Sequence, residues 1–206
     1  MTFEVQTSKT GAAVLVVNQK RLSSLYDPAK EAQVWVKGLS KAQTQVDLIV
    51  FLGAGHGEAI KALLSATAAQ VLVVSSVEAA LTFWKSRIDD QRVTWLHLDD
   101  KNLHNYFKTD EFLHLSRSVY SVIESPSAKN EDEKFFKKMK EIFLGRTYSS
   151  FKKMAAASDE LSSLSTVILP AIGLLSIKNI CDHLVLAPDL NEKDVAQWSV
   201  LRELVK

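Results

Sequence analysis

The segment "DLIVFLGAGHGEAIKALL", residues 47–64, constrains the fold of this chain more than any other stretch. Its apolar run is typical of a strand buried on both faces of a parallel sheet, and the residues from about Gly57 to Ala68 have the apolar spacing of a helix. Gly53, Gly55 and Gly57 lie between the two. A loop at this point directs main-chain amides towards a helix N-terminus, where negative charge is stabilised. The segment therefore predicts an α/β fold with a loop suited to an anionic ligand.

Alternation of strands and helices continues along the chain. Three later segments, "QVLVVSS", "RVTWLHLDD" and "RSVYSVIES", have strand character, and "EAALTFWKSRI" has helical spacing. Such alternation argues for right-handed crossovers on a parallel sheet. Ahead of it, Phe3–Thr7 and Ala13–Val17 predict a hairpin. We therefore predict an α/β, Rossmann-like and methyltransferase-like fold, a mostly parallel sheet flanked by helices with a small N-terminal β-hairpin. Residues 1–40 would form the hairpin and a helix, and residues 41–206 the α/β domain, as one compact unit.

Capping residues and apolar spacing predict further helices. In "LYDPAKEAQVWVKGL", Asp27 caps a helix that Pro28 begins and Gly38 ends. The residues that share an apolar face in "KNEDEKFFKKMKEIFLGR", before an end at Gly145, are Phe135, Met139, Ile142 and Phe143. Later expectations are a helix with Tyr148, Phe151 and Met154, and a terminal helix over Asn191–Lys206. The segments "STVILPAIGLL" and "DHLVLAP" fit two strands or a buried helix and a strand.

The charge balance and the cysteine count narrow the classes of function. Lys and Arg total 25 against 24 Asp and Glu, which favours neither a nucleic-acid binder nor a membrane-surface protein. The single cysteine, Cys181, allows no intramolecular disulfide and no Cys-rich metal cage, and the N-terminus lacks the layout of a signal peptide. We expect a cytoplasmic protein with no metal, nucleic-acid or membrane partner. The uncharged run Leu161–Ile177 is interpreted as buried core, and the lysine-rich region 134–153 as a solvated helix face.

The spacing of the glycines points to one class of cofactor. The loop has the pattern Gly-x-Gly-x-Gly, with Glu58 where the nicotinamide fingerprint requires its third glycine, and it is similar to the first motif of S-adenosylmethionine-dependent methyltransferases. That motif carries an acid where this chain has Phe51. The next strand of such folds ends in an acid that binds the ribose, and Ser75 or Ser76 stands there. Asp99 and Asp100 end the third strand, where they would face an adenine or cap the following helix.

The candidate site thus combines the loop with the ends of the next two strands. Within the loop, the imidazole of His56 could reach a phosphate or carboxylate, and a bulky residue in place of Gly55 should abolish binding while the protein stays folded. S-adenosylmethionine or a nucleotide is the expected ligand if the site is retained, and a tight turn without a ligand is the alternative. The candidate cofactor-binding residues are Gly53, Ala54, Gly55, His56, Gly57, Ser75, Asp99 and Asp100.

The stretch "RLSSLYDPAKEAQVWV", followed by the glycine loop and "VLVVSSVEAAL", resembles the N-terminal part of the motility accessory factor family of bacterial flagellin glycosyltransferases. The resemblance covers roughly residues 19–100. It implies a Rossmann-like region placed ahead of a separate catalytic domain that transfers a nonulosonic sugar from a nucleotide donor. The residues that carry the signature are Tyr26, Asp27, Pro28, Glu31 and Ala32.

Two departures from that family shape the functional hypotheses. The family's acid after the second strand falls at Ser75, and the catalytic domain with its Gly-Pro-Ser-Leu type loop has no counterpart before Lys206. The first hypothesis is a ligand- or partner-binding module of the flagellin-glycosylation type without catalysis of its own. The second is an S-adenosylmethionine-dependent methyltransferase. A third is an interaction protein in which the loop is structural and neighbouring side chains fill the cleft.

Overall fold

The computed structural model describes residues 2–106, 109, 112 and 120–144. The chain divides into two compact units, Met1–Tyr106 with Ser118–Lys140, and Phe107–Arg117 with Glu141–Lys206. The candidate site lies in the first unit. No helix within the described ranges is long and apolar enough to cross a membrane. The expectations that lie outside the described residues concern Gly145, the helix with Tyr148, Phe151 and Met154, the core run Leu161–Ile177, Cys181, the segment "DHLVLAP" and the helix Asn191–Lys206.

The N-terminal hairpin is confirmed, and a short third strand extends it into an antiparallel sheet. Strand β1 (Phe3–Thr7) pairs with β2 (Ala13–Val17), and β2 pairs with β3 (Lys20–Arg21). Val17 and Lys20 are partners, so Asn18 and Gln19 form a two-residue turn, with φ of 48° and 65°. Positive φ at both positions is the geometry of a type I′ turn, whose twist matches that of the strands it joins. The sequence did not predict β3 because two residues show no periodicity.

The main sheet contains four parallel strands in the order β6-β5-β4-β7. The strands are β4 (Leu48–Leu52), β5 (Gln70–Ser75), β6 (Val93–His97) and β7 (Tyr120–Glu124). In the central strand β4, the residues from Ile49 to Leu52 are fully buried, as an apolar run without alternation requires. The parallel sheet flanked by helices is confirmed. Because β5 and β7 lie on opposite sides of β4, the segments that follow β4 and β7 meet at the carboxyl edge of the sheet.

Helices connect the strands, and the first of them begins at the predicted cap, Asp27. They are α1 (Pro28–Lys37), α2 (Lys41–Thr44), α3 (Gly57–Ala66), α4 (Glu78–Lys85), α5 (Leu103–Tyr106) and α6 (Ala128–Phe143). Asp27 Oδ1 accepts a hydrogen bond of 3.0 Å from the Lys30 amide, and Gly38 ends α1 as expected. Helix α3 ends two residues before the predicted Ala68 because Thr67 is extended and its hydroxyl donates to the Thr44 carbonyl at 2.8 Å.

Helix α6 has the predicted apolar face and a break that the sequence did not predict. Phe135, Met139 and Phe143 are buried, in agreement with the spacing. At Asp132 the backbone leaves the helical region (φ −164°, ψ 83°), and Asp132 Oδ1 accepts from the Phe135 amide at 3.1 Å. Asp132 therefore caps the second part of α6. The preceding residues form a separate single turn that ends at Glu131.

Candidate functional site

The glycine loop, residues 53–57, lies at the carboxyl edge of the parallel sheet, between β4 and α3. Ligands of open α/β sheets bind at this edge, where the strand order reverses. The Gly53 amide donates to the Val74 carbonyl and the Ser125 amide donates to the Leu52 carbonyl, both at 2.8 Å. All five residues of the loop are buried. The sequence therefore predicted the position of the loop correctly. Whether the loop can bind a ligand depends on the group that accepts hydrogen bonds from its main-chain amides.

A carboxylate of the chain itself, that of Glu131, contacts the loop. Its Oε2 accepts a hydrogen bond of 2.8 Å from the Gly55 amide, and the Ala54 amide also donates to this carboxylate. Its Oε1 accepts a hydrogen bond from the Ser75 hydroxyl. The Glu131 residue is only 5% exposed. Two loop amides and the hydroxyl at the end of β5 are thus satisfied by one internal anion, where the acidic group of a ligand would otherwise accept from the loop.

Burial controls the ionisation of this carboxyl group. Loss of hydration raises the pKa of Glu131 to about 7, although the hydrogen bonds from Ser75, Gly55 and Ala54 favour the charged form. The neighbouring carboxylate of Asp132 adds a smaller effect in the raising direction. Desolvation outweighs the three donors, and the group therefore titrates near neutral pH.

The glycines are required by the packing of the chain. A Cβ atom on Gly55 would lie 2.3 Å from Leu22 Cδ1 and 2.9 Å from Glu131 Oε2, and a Cβ atom on Gly57 would lie 2.2 Å from Cδ2 of Trp84. Gly53 has a φ of +101°, which L side chains rarely adopt. The expectation that Gly55 can be replaced by a bulky residue in a folded protein is therefore wrong, because Leu22 already fills the space. The ligand-binding role of the loop residues stays a prediction.

His56 caps helix α3 and joins it to α1. Its Nδ1 accepts from the Ala59 amide at 3.3 Å, so the ring proton is assigned to Nε2, which donates to Glu31 Oε2 at 3.2 Å. The same Glu31 oxygen accepts from the Ser24 amide at 2.7 Å. Burial lowers the pKa of His56, and the Glu31 carboxylate opposes that shift. A neutral imidazole with both nitrogens engaged holds helix α1 to the loop, and neither nitrogen is left for a phosphate.

The residues that carry the family resemblance build this connection. Asp27 and Pro28 start α1, Ala32 is buried, and Glu31 reaches the glycine loop through His56. Tyr26 is different because it is 67% exposed, with Lys9 Nζ 4.3 Å from the centre of its ring. The signature therefore has a structural part that positions the loop and one aromatic side chain at the surface.

Other groups stand where the sequence lacked the expected acids. Phe51 packs edge-on against Trp35 of α1, with the ring centres 5.8 Å apart. Ser75 is fully buried, and its hydroxyl accepts from the Val77 amide at 3.0 Å while it donates to Glu131. A carboxylate is thus present at the end of β5, but it comes from a residue 56 positions later in the chain.

Sequence reasoning missed Glu131, although one signal pointed to it. The apolar face of the predicted helix contains Phe135 and Met139, and extending that spacing back by four residues reaches Glu131. A charged residue on the buried face of an amphipathic helix is uncommon unless it is paired. Asp132 and Glu133 follow Glu131 directly, and a run of three acids is more typical of a solvated surface than of a buried position.

Asp99 and Asp100 serve local structure. Asp99 Oδ1 accepts from the amides of Lys101 and Asn102, both at 2.9 Å, and these bonds, that of Asn102 first, lower the pKa of Asp99. These bonds close a turn ahead of α5, which begins at Leu103. Asp100 is exposed and pairs with Lys138. Contact of either residue with an adenine stays a prediction.

Two surface cavities have been located, and neither is lined by residues 53–57. One, of about 330 Å³, lies between α1 and α3 and is lined in part by Gln33, Lys37 and Lys61. The other, of about 570 Å³, lies at the amino ends of β4 and β5, away from the glycine loop. In the part of the chain that the structure describes, no three His, Cys, Asp or Glu side chains are grouped so as to hold a metal ion.

Comparisons with known proteins leave the site to be interpreted from its own geometry. No family model matches the chain. A search of curated proteins and a search of solved structures also gave no match.

Proposed function

We propose that this chain is a Rossmann-like binding module without catalysis of its own, related to flagellin-glycosylation accessory proteins and acting through a protein partner. One observation carries the proposal, namely the buried Glu131 carboxylate that accepts hydrogen bonds from the glycine loop. The order β6-β5-β4-β7 matches the first four strands of a doubly wound sheet, 3-2-1-4, which supports the Rossmann-like assignment.

An adenosyl cofactor or nucleotide needs the groups that Glu131 engages. Its carboxylate or phosphate would accept from the loop amides, and its ribose would need an acid after the second strand. Here the Gly55 amide and the Ser75 hydroxyl are already bonded to Glu131. A second anion beside this desolvated carboxylate would be repelled. The loop therefore favours a structural role, and binding falls to other surfaces of the module.

An S-adenosylmethionine-dependent methyltransferase is the alternative proposal. The Gly-x-Gly-x-Gly spacing and the position of the loop at the strand-order reversal favour it. It requires that the Glu131 side chain leave the loop before the cofactor enters. The two proposals thus differ in whether the wild-type protein takes up the cofactor.

Isothermal titration of the wild-type protein distinguishes the two proposals. S-adenosylmethionine, S-adenosylhomocysteine and common nucleotides are titrated separately at pH 8, where Glu131 is ionised. We expect no binding heat from any of them. Binding of S-adenosylmethionine and S-adenosylhomocysteine at micromolar concentration would refute the proposal and support the methyltransferase.

The partner is tested through the exposed aromatic residue of the signature. Immobilised flagellin serves as the probe, and wild-type protein is compared with Tyr26→Ala, because Tyr26 is 67% exposed and truncation should leave the fold intact. We expect measurable binding that Tyr26→Ala weakens, while Val34→Ala, equally exposed on α1, is the matched control. Lack of binding by the wild-type protein would count against flagellin as the partner.

A further inference from the structure

We propose that Glu131 is an internal stand-in for an oxyanion ligand, so that its removal opens a site for a small carboxylate or for phosphate. The inference rests on the proposed function, since it explains why the loop is closed in the wild-type protein. It also assigns a ligand chemistry to the loop, whichever partner the module has.

Three donors converge on the position of the carboxylate. The amides of Gly55 and Ala54 come from the loop, and the Ser75 hydroxyl comes from the end of β5. The Ser75 oxygen accepts from the Val77 amide at 3.0 Å, and this bond directs its proton to Glu131. The donors therefore stay fixed by the sheet and the loop when the carboxylate is removed.

The position offers a helix dipole and fixed donors to a carboxyl group, and burial opposes the charged form of that group. It lies beside the N-terminus of α3, a helix of ten residues whose dipole favours negative charge there. The carboxylate is almost completely buried, and hydrogen bonds to an anion are strongest where water is excluded. A planar oxyanion such as acetate or formate presents the same pair of oxygens as Glu131.

The backbone that carries Glu131 does not depend on its side chain. The Glu131 amide donates to the Ser127 carbonyl at 2.9 Å, and the Ala128 amide donates to the Ser125 carbonyl at 3.0 Å. After the break at Asp132 the helix continues under its own cap. Truncation at position 131 should therefore leave a carboxylate-sized space lined by donors without moving the turn.

Chemical rescue tests the proposal on the full chain. Thermal unfolding of Glu131→Ala is followed in sodium chloride, acetate, formate and phosphate at equal ionic strength. Two controls are Glu131→Gln, which keeps an acceptor in the loop, and Glu133→Ala, which truncates an exposed acid on the same helix. We expect acetate or formate to raise the Tm of Glu131→Ala by about 3 °C or more beyond the shift of either control, with saturation.

The same acetate dependence in all three variants would overturn the proposal, because the effect would then be a general salt effect. A shift in phosphate alone would show that the site takes a tetrahedral oxyanion and would still support it. If Glu131→Ala does not fold, Glu131→Ser replaces it, since a serine leaves the two loop amides without a carboxylate. Absence of rescue in Glu131→Ser counts against the proposal. The proposed function is tested separately, because it predicts that the wild-type protein gives no binding heat in the titration.

Discussion

The pH dependence of stability in Glu131→Gln gives the most direct test of the buried carboxylate. In the folded chain the pKa of Glu131 is about 7, against 4.5 for the unperturbed group. Between these values the folded state holds a proton that the unfolded state releases, so stability falls as the pH rises through this window. The difference is about 2.5 pH units, and about 1.4 kcal/mol per unit gives a loss of about 3 to 4 kcal/mol over the whole window.

Glutamine in place of Glu131 imitates the protonated form. Its carbonyl can accept from the loop amides and its amide can donate to the Ser75 oxygen, and it never ionises. We expect Glu131→Gln to match the wild-type protein near pH 4.5 and to exceed its free energy of unfolding by about 3 kcal/mol at pH 8.

Urea denaturation at intervals from pH 4.5 to pH 8 measures this difference. Burial lowers the pKa of His56, so His56 reduces stability as the pH falls below 6.5, opposite in direction to Glu131. Both proteins contain His56, and its contribution cancels in the difference between them. Glu133→Gln, on the exposed side of the helix, should show no such difference. A variant that is less stable than wild type at pH 8 would refute the reasoning, because the three donors would then outweigh desolvation.

Three further tests of the local structure use urea denaturation to measure the free energy of unfolding of variants. Gly57→Ala should lower the free energy of unfolding by about 3 kcal/mol because its Cβ would overlap the Trp84 ring. Gly11→Ala, with open space but a φ of +83°, should lower it by about 1 kcal/mol. Equal losses in the two variants would contradict the packing argument. Asp27→Ala removes the cap of α1 and should lower the free energy of unfolding by about 1 kcal/mol, whereas Asp27→Asn should lower it much less. Similar losses in both variants would show that the cap bond is not the cause. Gln19→Gly should raise the free energy of unfolding by about 0.5 kcal/mol because glycine adopts the positive φ of the turn without strain. A lower free energy of unfolding would contradict the turn assignment.

The elements that the sequence predicted depend on local information. The strand Leu48–Leu52 is a continuous apolar run, and the helix from Pro28 has its cap, its proline and its terminal glycine within twelve residues. The glycine loop was located for the same reason, since a strand and a helix define its two ends.

The occupant of the loop depends on contacts that are distant along the chain. Glu131 and Gly55 are 76 positions apart, and their bond exists because the parallel crossovers bring the segments after β4 and β7 to one edge. The requirement for glycine at position 55 likewise comes from Leu22, which belongs to the N-terminal segment. Spacing within the loop carries no information about either neighbour.

Covalent attachment gives Glu131 an advantage over any free ligand. A tethered group faces its site at an effective concentration on the order of millimolar, and dilution or dialysis cannot lower that value. An external anion must compete with the Glu131 carboxylate for the same donors. A screen of the wild-type protein at micromolar ligand would therefore detect no binding even though the donors of the loop are intact. A variant at position 131 is therefore the appropriate reagent for a ligand search, and a single substitution separates a closed loop from an accessible one.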